Sequence, residues 1–310
     1  MARFIAWRIV QLPVILAVVY LITFALVWVA PGSPYENNDR ALSEAAKNDL
    51  KLRFHAQSWE QFLTYYPWQI VRHGDFGPSL SYEGWSVNDI LRSSLPVSMA
   101  LGLVAVFIAL IGGSAAGVTA AVRRGGLLDV VSLGLALVGV SLPAFVAAGL
   151  LIVIFSDWLH WLPGGGWGEL RQMVLPALAL ALMPMAYIAR LTRVSMLDTL
   201  GNDFIRTARA KGLPRWTVVW KHAFRNAFLP VFTYLGPATA YAMTGSFVVE
   251  TVFNIPGLGQ HFVNGVKNRD QTLILGTVLV YAAFLLTLNL LVDIGYAVVD
   301  PRIEIEGKPQ

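Results

Sequence analysis

The chain has 310 residues, of which 56% are hydrophobic and only 14% charged, whereas about a quarter of the residues in a soluble domain are charged. This composition predicts an integral membrane protein, and the formal net charge of +4 lies mainly in segments that flank apolar stretches, where it orients such a protein, so nucleic-acid binding is not expected. The absence of cysteine excludes disulfides, thiolate metal sites and a cysteine nucleophile.

Six apolar stretches are each long enough to cross about 30 Å of hydrocarbon, which takes roughly 20 helical residues. They lie at residues 9–30, 96–122, 130–155, 173–190, 229–250 and 272–299. The first stretch follows Arg3 and Arg8 and is too long for the core of a signal peptide, so it is interpreted as a retained span. The sequence therefore predicts an all-α integral membrane protein with six transmembrane helices.

Lysine and arginine concentrate in alternate connections between these stretches, as they do on the cytoplasmic side of membrane proteins. The basic positions are Arg3, Arg8, Arg123, Arg124, the segment 191–225, Arg302 and Lys308. Both termini are therefore predicted to be cytoplasmic. The outside segment 32–94 also contains basic residues, but acidic residues accompany them and loops of this length cross largely regardless of charge.

The predicted organisation is an N-terminal span at 1–31, an extracytoplasmic loop or subdomain at 32–94 and a membrane core at 95–310. Residues 39–62 mix Ala, Leu, Glu and Lys in a helical pattern, so the loop is expected to hold helices of its own. A second outside segment, 156–168, surrounds three consecutive glycines with tryptophans, which is typical of a turn at the membrane interface.

Small residues and prolines within the stretches bear on how the helices pack. Glycines recur at close-packing intervals in two stretches, at Gly113, Gly117, Gly134 and Gly139. Three prolines lie in or near the stretches: Pro143, Pro176 and Pro184. A proline either kinks a membrane helix and frees a carbonyl or reflects ordinary irregularity of a bundle, and the sequence leaves both readings open.

Ionisable residues are absent from the centres of the predicted spans. Asp129, Glu250 and Asp293 come nearest, and their positions favour structural anchoring. Ion-coupled carriers usually keep charged groups deep in their spans and intramembrane enzymes need paired catalytic groups, so the sequence disfavours both classes. The five histidines are scattered and no GxxxxGK[ST] phosphate loop occurs, so we expect no metal site, no catalytic residue and no ATP hydrolysis in this chain.

A basic segment at 191–225 contains seven Lys or Arg residues directly after Arg190. Within it, Asn202 or Asp203 can cap a short helix that Gly212 ends, and Pro214 prevents its continuation. Two helical turns are unstable alone in water, so another surface must pack against them, and we expect that surface to belong to a separate cytoplasmic protein. A merely basic, amphipathic interfacial loop is the alternative.

The short helix is suited to insert into a socket on a partner protein. Its expected contact residues are Phe204, Ile205 and Ala208. Charge frames them at Arg206, Arg209 and Lys211. The amphipathic segment that follows leads into the fifth predicted span, so movement of the socket would tilt the membrane helices.

Residues 202–214 read Asn-Asp-Phe-Ile-Arg-Thr-Ala-Arg-Ala-Lys-Gly-Leu-Pro. They strongly resemble the cytoplasmic coupling loop of permeases of binding-protein-dependent ABC importers, whose generic motif begins Glu-Ala-Ala and has a glycine four residues after the last alanine. Here Arg206 and Thr207 stand in place of the first two residues, and Gly212 keeps the offset. The gap from that glycine to the Leu-Pro pair at 229–230 is longer than in the generic motif. Both departures resemble the peptide and nickel branch of the family.

Further segments over nearly the whole chain resemble the B-type permease of oligopeptide importers. They lie at 30–34, 73–79, 161–166, 204–214, 256–259 and 300–302. The resemblance implies a type I ABC importer permease fold in the cytoplasmic (inner) membrane of a prokaryote. It also implies a homologous second permease, two ATPase subunits that use ATP and Mg²⁺, and an extracytoplasmic peptide-binding protein.

The implied function is that of a transmembrane permease subunit, which couples motion of partner ATPases to alternating access for oligopeptides or dipeptides. Import of nickel complexes, glutathione or another small solute by the same mechanism stays open. An ion-coupled secondary transporter is the alternative from another class.

Three groups of residues are candidates for these roles. The implied ATPase-coupling residues, in a coupling loop at about 191–228, are Asp203, Phe204, Ile205, Arg206, Thr207, Ala208, Arg209, Ala210, Lys211 and Gly212. The candidate lining of a translocation path is Ser141, Pro143, Thr239, Tyr241, Thr244 and Ser246. The candidate contacts for the binding protein are Asp75, Phe76, Pro256, Gly257 and Gly259.

Overall fold

The computed structural model describes residues 2–30, 58–82 and 84–299. Within these ranges the chain is almost entirely helical, as the sequence predicts, and the one β pairing is an isolated bridge between Pro78 and Ser86. The α-helices are α1 (Ala2–Val29), α2 (Trp59–His73), α3 (Val87–Val122), α4 (Leu127–Ser141), α5 (Ala144–Leu151), α6 (Leu170–Leu200), α7 (Asp203–Ala210), α8 (Arg215–Thr217), α9 (Arg225–Ala227), α10 (Leu229–Val252), α11 (Leu258–Asn268) and α12 (Gln271–Val299). Two π-helices, π1 (Ile152–Trp158) and π2 (Val218–Phe224), follow α5 and α8.

Four helices of the described chain are long and apolar enough to cross a membrane, namely α1, α3, α6 and α12. The predicted span at 130–155 is broken, because the helix direction bends by 111° between α4 and the α5–π1 segment, and the pair makes a fifth span if it crosses as one. Pro143 is the N-cap of α5 and lacks an amide hydrogen, which explains the break. The predicted span at 229–250 is a single helix, α10, of 24 residues, which is not among these four.

The described residues form two compact units. The first lies within Met1–Ser98 and Asn254–Thr287, and the second within Met99–Phe253 and Leu288–Gln310. Most of the helix predicted at 39–62 lies outside the described residues, but α2 in the first unit covers its end. Ser58 caps α2, because its hydroxyl accepts a hydrogen bond from the Gln61 amide at 3.3 Å.

Aromatic rings form the core of the first unit. Phe62 and Tyr66 of α2 stack with their centroids 5.1 Å apart, and Phe24 of α1 lies 6.2 Å from Phe62. Tyr20 of α1 donates its hydroxyl to the carbonyl of Leu63 at 3.0 Å. This stacking of large rings joins α1 to α2, since aromatic pairs add to the energy of apolar burial.

Asp270, a fully buried carboxylate, ties the loop before α3 to the start of α12. One of its oxygens accepts hydrogen bonds from the Ser79 hydroxyl at 2.5 Å and from the amides of Leu80 and Ser81 at 2.7 and 2.8 Å. The other accepts from the Leu273 amide at 3.0 Å, in the manner of a helix cap. The burial of this charge is therefore compensated by hydrogen bonds on both oxygens.

The centre of the second unit is α6, which packs against α4, α5 and α10. Its two prolines are buried within a continuous helix. A Cβ atom at Gly113 would lie 2.6 Å from the Met185 carbonyl oxygen, and one at Gly117 would lie 2.5 Å from that of Ala189. The predicted close packing at these glycines is therefore confirmed, because only a residue without a side chain lets the two backbones approach so closely.

The other predicted glycine pair packs at one position only. A Cβ atom at Gly139 would lie 3.1 Å from the Leu182 carbonyl oxygen, whereas one at Gly134 would meet nothing within 4 Å. The prediction is right for Gly139 and wrong for Gly134, whose Cβ position is open space among the described residues. At the tryptophan-flanked turn, the Gly166 amide donates to the Phe253 carbonyl at 2.8 Å.

Candidate coupling surface

The helix α7 follows directly on α6, whose 31 residues make it about 46 Å long and thus longer than a span needs. Asn202 is the N-cap residue of α7 by its backbone, but its side chain makes no capping hydrogen bond. At the other end Gly212 has φ 73°, and its amide donates to the Arg209 carbonyl at 2.9 Å. The predicted glycine stop is confirmed, since this left-handed conformation favours glycine.

One side of α7 is buried within the chain itself. Ile205 and Ala208 lie in an apolar cluster with Met196 of α6 and Ala223 and Ala227 of the segment after α7. The expectation that these two side chains enter a partner's socket is wrong, as is the expectation that only another protein packs against this helix. The physical reason is proximity, because the apolar ends of α3 and α6 and the following segment cover this face.

The opposite side of α7 is exposed. Phe204 exposes 43% of its surface, although it is aromatic. The other exposed residues of this face are Arg206, Thr207, Arg209, Ala210 and Lys211. Asp203 lies 3.3 Å from Arg206 in an ion pair that is open to solvent. An aromatic side chain ringed by cations suits contact with a surface that has an apolar pocket and acidic edges.

A cleft of about 610 Å³ lies beside α7 in the second unit. Its charged lining consists of Arg124, Arg209 and Arg215. Leu197, Leu200 and other apolar residues complete the wall, and no acidic side chain is among the described residues that line it. The cleft extends the positive surface of α7 to the connection between α3 and α4.

Asp129 and Arg193 form a bidentate ion pair between α4 and α6. The guanidinium donates Nε to one carboxylate oxygen at 2.6 Å and Nη2 to the other at 2.9 Å. The Gly125 amide also donates to Asp129 at 2.9 Å. The predicted anchoring role of Asp129 is confirmed, but sequence reasoning missed its partner, because a separation of 64 residues leaves no local signal.

A ladder of aromatic rings connects the coupling segment to α10. Trp216, Trp220, Phe224, Phe228 and Phe232 follow one another with centroid distances of 5.3, 5.1, 5.4 and 6.5 Å. The ladder begins next to α7, passes along π2 and ends inside α10. It provides a continuous packed connection from the coupling surface to a long helix.

The candidate path residues differ in their surroundings. Thr239 donates its hydroxyl to the Leu235 carbonyl at 2.7 Å, and Ser246 donates to that of Met243 at 2.6 Å. Hydroxyls that bond their own helix in this way serve local structure. Ser141 and Pro143 are exposed at the break after α4, and Tyr241 is half-buried. The side chain of Thr244 lies outside the described part of the structure.

The candidate contacts for a binding protein are held mostly by the chain itself. Asp75 accepts hydrogen bonds from Gln69 at 2.8 Å and from an amide two residues later at 2.9 Å. Asn88 accepts from the Phe76 amide at 2.8 Å. Gly257 and Gly259 are buried, and Pro256 is exposed. Within the described ranges, no three His, Cys, Asp or Glu residues are grouped so that they could hold a metal ion.

Comparison with known proteins identifies a family and relatives that match over nearly the full length of the chain. Residues 113–305 match the family model for the binding-protein-dependent transport system inner membrane component. The chain is 44% identical to the oligopeptide transport system permease protein OppB of Escherichia coli (strain K12), over 98% of this chain and 99% of the relative. It is 43% identical to the dipeptide transport system permease protein DppB of Bacillus subtilis (strain 168), over 99% and 100%. The DppB protein of Lactococcus lactis subsp. cremoris (strain MG1363) is 35% identical over 98% and 100%.

Among solved structures, an amino acid ABC transporter crystallised with histidines resembles the chain with a TM-score of 0.51 and 17% identity. The likeness covers 67% of this chain and 94% of that one, and it concerns the fold alone. With the family model and the relatives, it agrees with a multi-pass helical membrane protein. The chain therefore belongs to the family of inner membrane components of binding-protein-dependent transport systems.

Proposed function

We propose that the chain is the permease subunit of an ATP-driven importer of oligopeptides or dipeptides. The observation that carries this proposal is the identity of 44% and 43%, over almost the full length, to permeases named for those two substrates. Nickel complexes and glutathione are weaker candidates, because the relatives compared above are named for peptides.

The proposed membrane arrangement has six spans with both termini in the cytoplasm. Its third span is the bent pair of α4 and α5–π1, and its fifth is α10. The basic residues near the ends of α1, α3 and α7 support this orientation, because lysine and arginine favour the cytoplasmic side. A less apolar helix such as α10 suits the interior of the bundle. Residues there face other helices or a water-filled path, so they need not be apolar.

The proposed energy coupling runs through the exposed face of α7. Phe204 would enter a pocket on a partner ATPase, and the surrounding cations would meet its acidic edge. ATP and Mg²⁺ would bind to the two ATPase subunits and not to this chain. The burial of Ile205 and Ala208 supports energy coupling through α7. Because these side chains pack against α6 and π2, a movement of α7 would be transmitted to both.

The remaining proposed partners are a homologous second permease and an extracytoplasmic peptide-binding protein. Pro256 is the best candidate contact for the binding protein, because it is exposed while its neighbour Gly257 is buried. For the path, Ser141 and Pro143, which are exposed, are better candidates than the hydroxyls of α10 that already bond their own backbone.

Copurification and uptake together test the proposal. The tagged full-length chain is purified in mild detergent, and its companions and bound small molecules are identified by mass spectrometry. We expect two ATPases, a second permease and a peptide-loaded binding protein. Cells without the chain should lose uptake of an isotope-labelled tripeptide, and expression of the chain should restore it. A partner-free chain, or tripeptide uptake that does not depend on it, would contradict the proposal.

A further inference from the structure

A groove of about 320 Å³ in the first unit has no part in the proposed transport function. The end of α1 contributes Leu26 and Val27 to it, and the beginning of α12 contributes Ile274 and Val278. Arg269, between α11 and α12, adds the one charged residue among the described residues that line it. Cavities that bind small ligands have volumes of roughly 300–1,000 Å³. The volume of this groove lies at the lower end of that range.

The charge of Arg269 is not neutralised within the described chain. No ion pair or side-chain hydrogen bond of Arg269 occurs there, although its neighbour is the buried carboxylate of Asp270. Both oxygens of that carboxylate are taken up by the loop before α3 and by the start of α12. A half-buried guanidinium at an apolar groove therefore has unused donors, which suit the oxygens of a phosphate.

Arg269 also has an unusual backbone. Its φ of 58° places it in the left-handed region at the C-cap of α11, where its amide donates to the Val266 carbonyl at 3.3 Å. Glycine or asparagine meets this requirement at lower cost. An arginine that holds such a position points to a role for its side chain, since unfavourable backbone conformations persist where function requires them.

The groove runs along helices that have the composition of membrane spans. Both α1 and α12 are apolar enough to cross a bilayer. Leu26 lines the groove and exposes 68% of its surface, and Val29, one turn further, exposes 81%. From Gln271 to Val278 the helix rises about 10 Å, which is well over half of one leaflet of a hydrocarbon core of about 30 Å. The groove thus continues an exposed apolar surface of α1 along two helices with the composition of membrane spans.

We propose that this groove binds one membrane phospholipid, with its phosphate on Arg269 and the first part of an acyl chain along Leu26, Val27, Ile274 and Val278. Apolar walls at hydrocarbon depth and a single cation at the interface end match the two parts of such a molecule. Basic pockets between membrane helices bind lipid headgroups by the same combination of forces. The site is independent of the coupling surface, so its failure would leave the transport proposal unaffected.

Photocrosslinking tests the site. The full-length chain is reconstituted into phosphatidylethanolamine nanodiscs that contain phosphatidylglycerol with a diazirine on its acyl chain. We expect adducts on peptides that contain Leu26 and Val27 or Ile274 and Val278. Arg269→Gln should reduce them about fivefold, the effect of one cation at a lipid surface, and Arg269→Lys should retain them. Diacylglycerol with the same diazirine chain lacks the phosphate. It should label the wild type as weakly as phosphatidylglycerol labels the Arg269→Gln variant.

Arg72→Gln is the matched control, because Arg72 is an exposed cation of the same unit that lies 5.9 Å from the Trp68 ring and does not line the groove. It should label as the wild type does, and all variants should keep the elution profile and melting temperature of the wild type. Equal labelling of Arg269→Gln, adducts spread evenly over all exposed helices, or an unlabelled groove in the wild type would overturn the proposal. Loss of the adducts on addition of inorganic phosphate would assign the site to free phosphate instead.

Discussion

The carboxylate of Asp129 and the guanidinium of Arg193 meet through two hydrogen bonds with little solvent between them, whereas Asp203 and Arg206 meet at 3.3 Å with both side chains exposed. An exposed ion pair contributes little to stability. When one partner of a well-formed pair with few water contacts is removed, the other charge is left unpaired, and this destabilises the protein. We expect Asp129→Asn to lower the melting temperature clearly and Asp203→Asn to leave it nearly unchanged. Thermal unfolding in detergent measures both, and equal shifts would contradict this account.

We expect His261 to make the stability of the protein depend on pH. Its Nδ1 atom is buried without a hydrogen-bond partner in the described structure, and its ring lies edge-on to Tyr82 at 5.1 Å. Burial lowers the pKa of His261 below its ordinary value. The unfolded chain therefore takes up a proton at a higher pH than the folded one does, and stability is lost as the pH falls below about 6.5.

The matching measurement is the melting temperature between about pH 7 and about pH 5. The wild type should lose stability towards the acidic end, and His261→Leu should lose less, because the leucine cannot be protonated. If the two proteins show the same slope, burial of His261 has no effect on the pH dependence.

Residue roles that depend on near neighbours were predictable from the sequence. Gly212 ends α7 as expected, because a glycine stop requires only the preceding turn and the glycine itself. The Asn202 side chain does not cap, although its type and position are right, so even local signals give the backbone position better than the side-chain contact. Arg193 as the partner of Asp129 was not predictable, since one sequence contains no information about which distant residues meet.

The two faces of α7 separate stability from coupling at the scale of a helix. Ile205 is fully buried, so Ile205→Ala should reduce the free energy of unfolding by about 2–5 kcal/mol through the cavity it leaves. Phe204 is exposed, so Phe204→Ala should leave unfolding almost unchanged. At a contact of the proposed kind, the loss of a central aromatic side chain should weaken ATPase binding about tenfold or more.

The measurement pairs thermal unfolding with copurification of the ATPases and tripeptide uptake for both variants. Weak ATPase retention and low uptake in a stable Phe204→Ala protein would agree with the proposed coupling surface. Full tripeptide uptake by the Phe204→Ala variant would place the coupling contact elsewhere. This conclusion would not depend on the stability or uptake of the Ile205→Ala variant.

The turn before α6 depends on one backbone contact. A Cβ atom at Gly165 would lie 2.6 Å from the Phe253 carbonyl oxygen, so Gly165→Ala should force the backbones apart and destabilise the protein by about 1–3 kcal/mol. Gly149 lies within α5, and no described atom lies within 4 Å of its Cβ position, so Gly149→Ala should be neutral or stabilising by about 0.5–1 kcal/mol. Thermal unfolding compares the two, and a destabilised Gly149→Ala with an unaffected Gly165→Ala would contradict the contact.

Helices were more predictable than their interruptions. Apolar length alone located α1, α3, α6 and α12, because burying a helix in hydrocarbon requires a long continuous apolar run. The break at Pro143 was open to two readings, because a proline inside α6 causes no comparable break. The π-helical turns have no local sequence rule, although the four-residue spacing of the aromatic ladder is visible in the sequence.

At the scale of the whole molecule, a total of six spans requires α10 to cross the membrane. This helix has 24 residues, enough to cross a bilayer, but Thr239, Ser246 and Glu250 within it are buried and polar. A helix that is covered by other protein need not be apolar all round, so burial and not hydropathy would hold it in the membrane.

Cysteine labelling measures this directly, because the chain has no cysteine of its own. Lys221 and Pro256 are exposed and lie before and after α10. If α10 crosses the membrane, a membrane-impermeant maleimide added to intact spheroplasts should label Pro256→Cys, and Lys221→Cys should react only in inverted vesicles. Lys211→Cys is the control for the cytoplasmic side, because Lys211 is exposed at the C-terminal end of α7. Labelling of Lys221→Cys and Pro256→Cys from the same side would show that α10 does not cross and would exclude six spans with both termini inside.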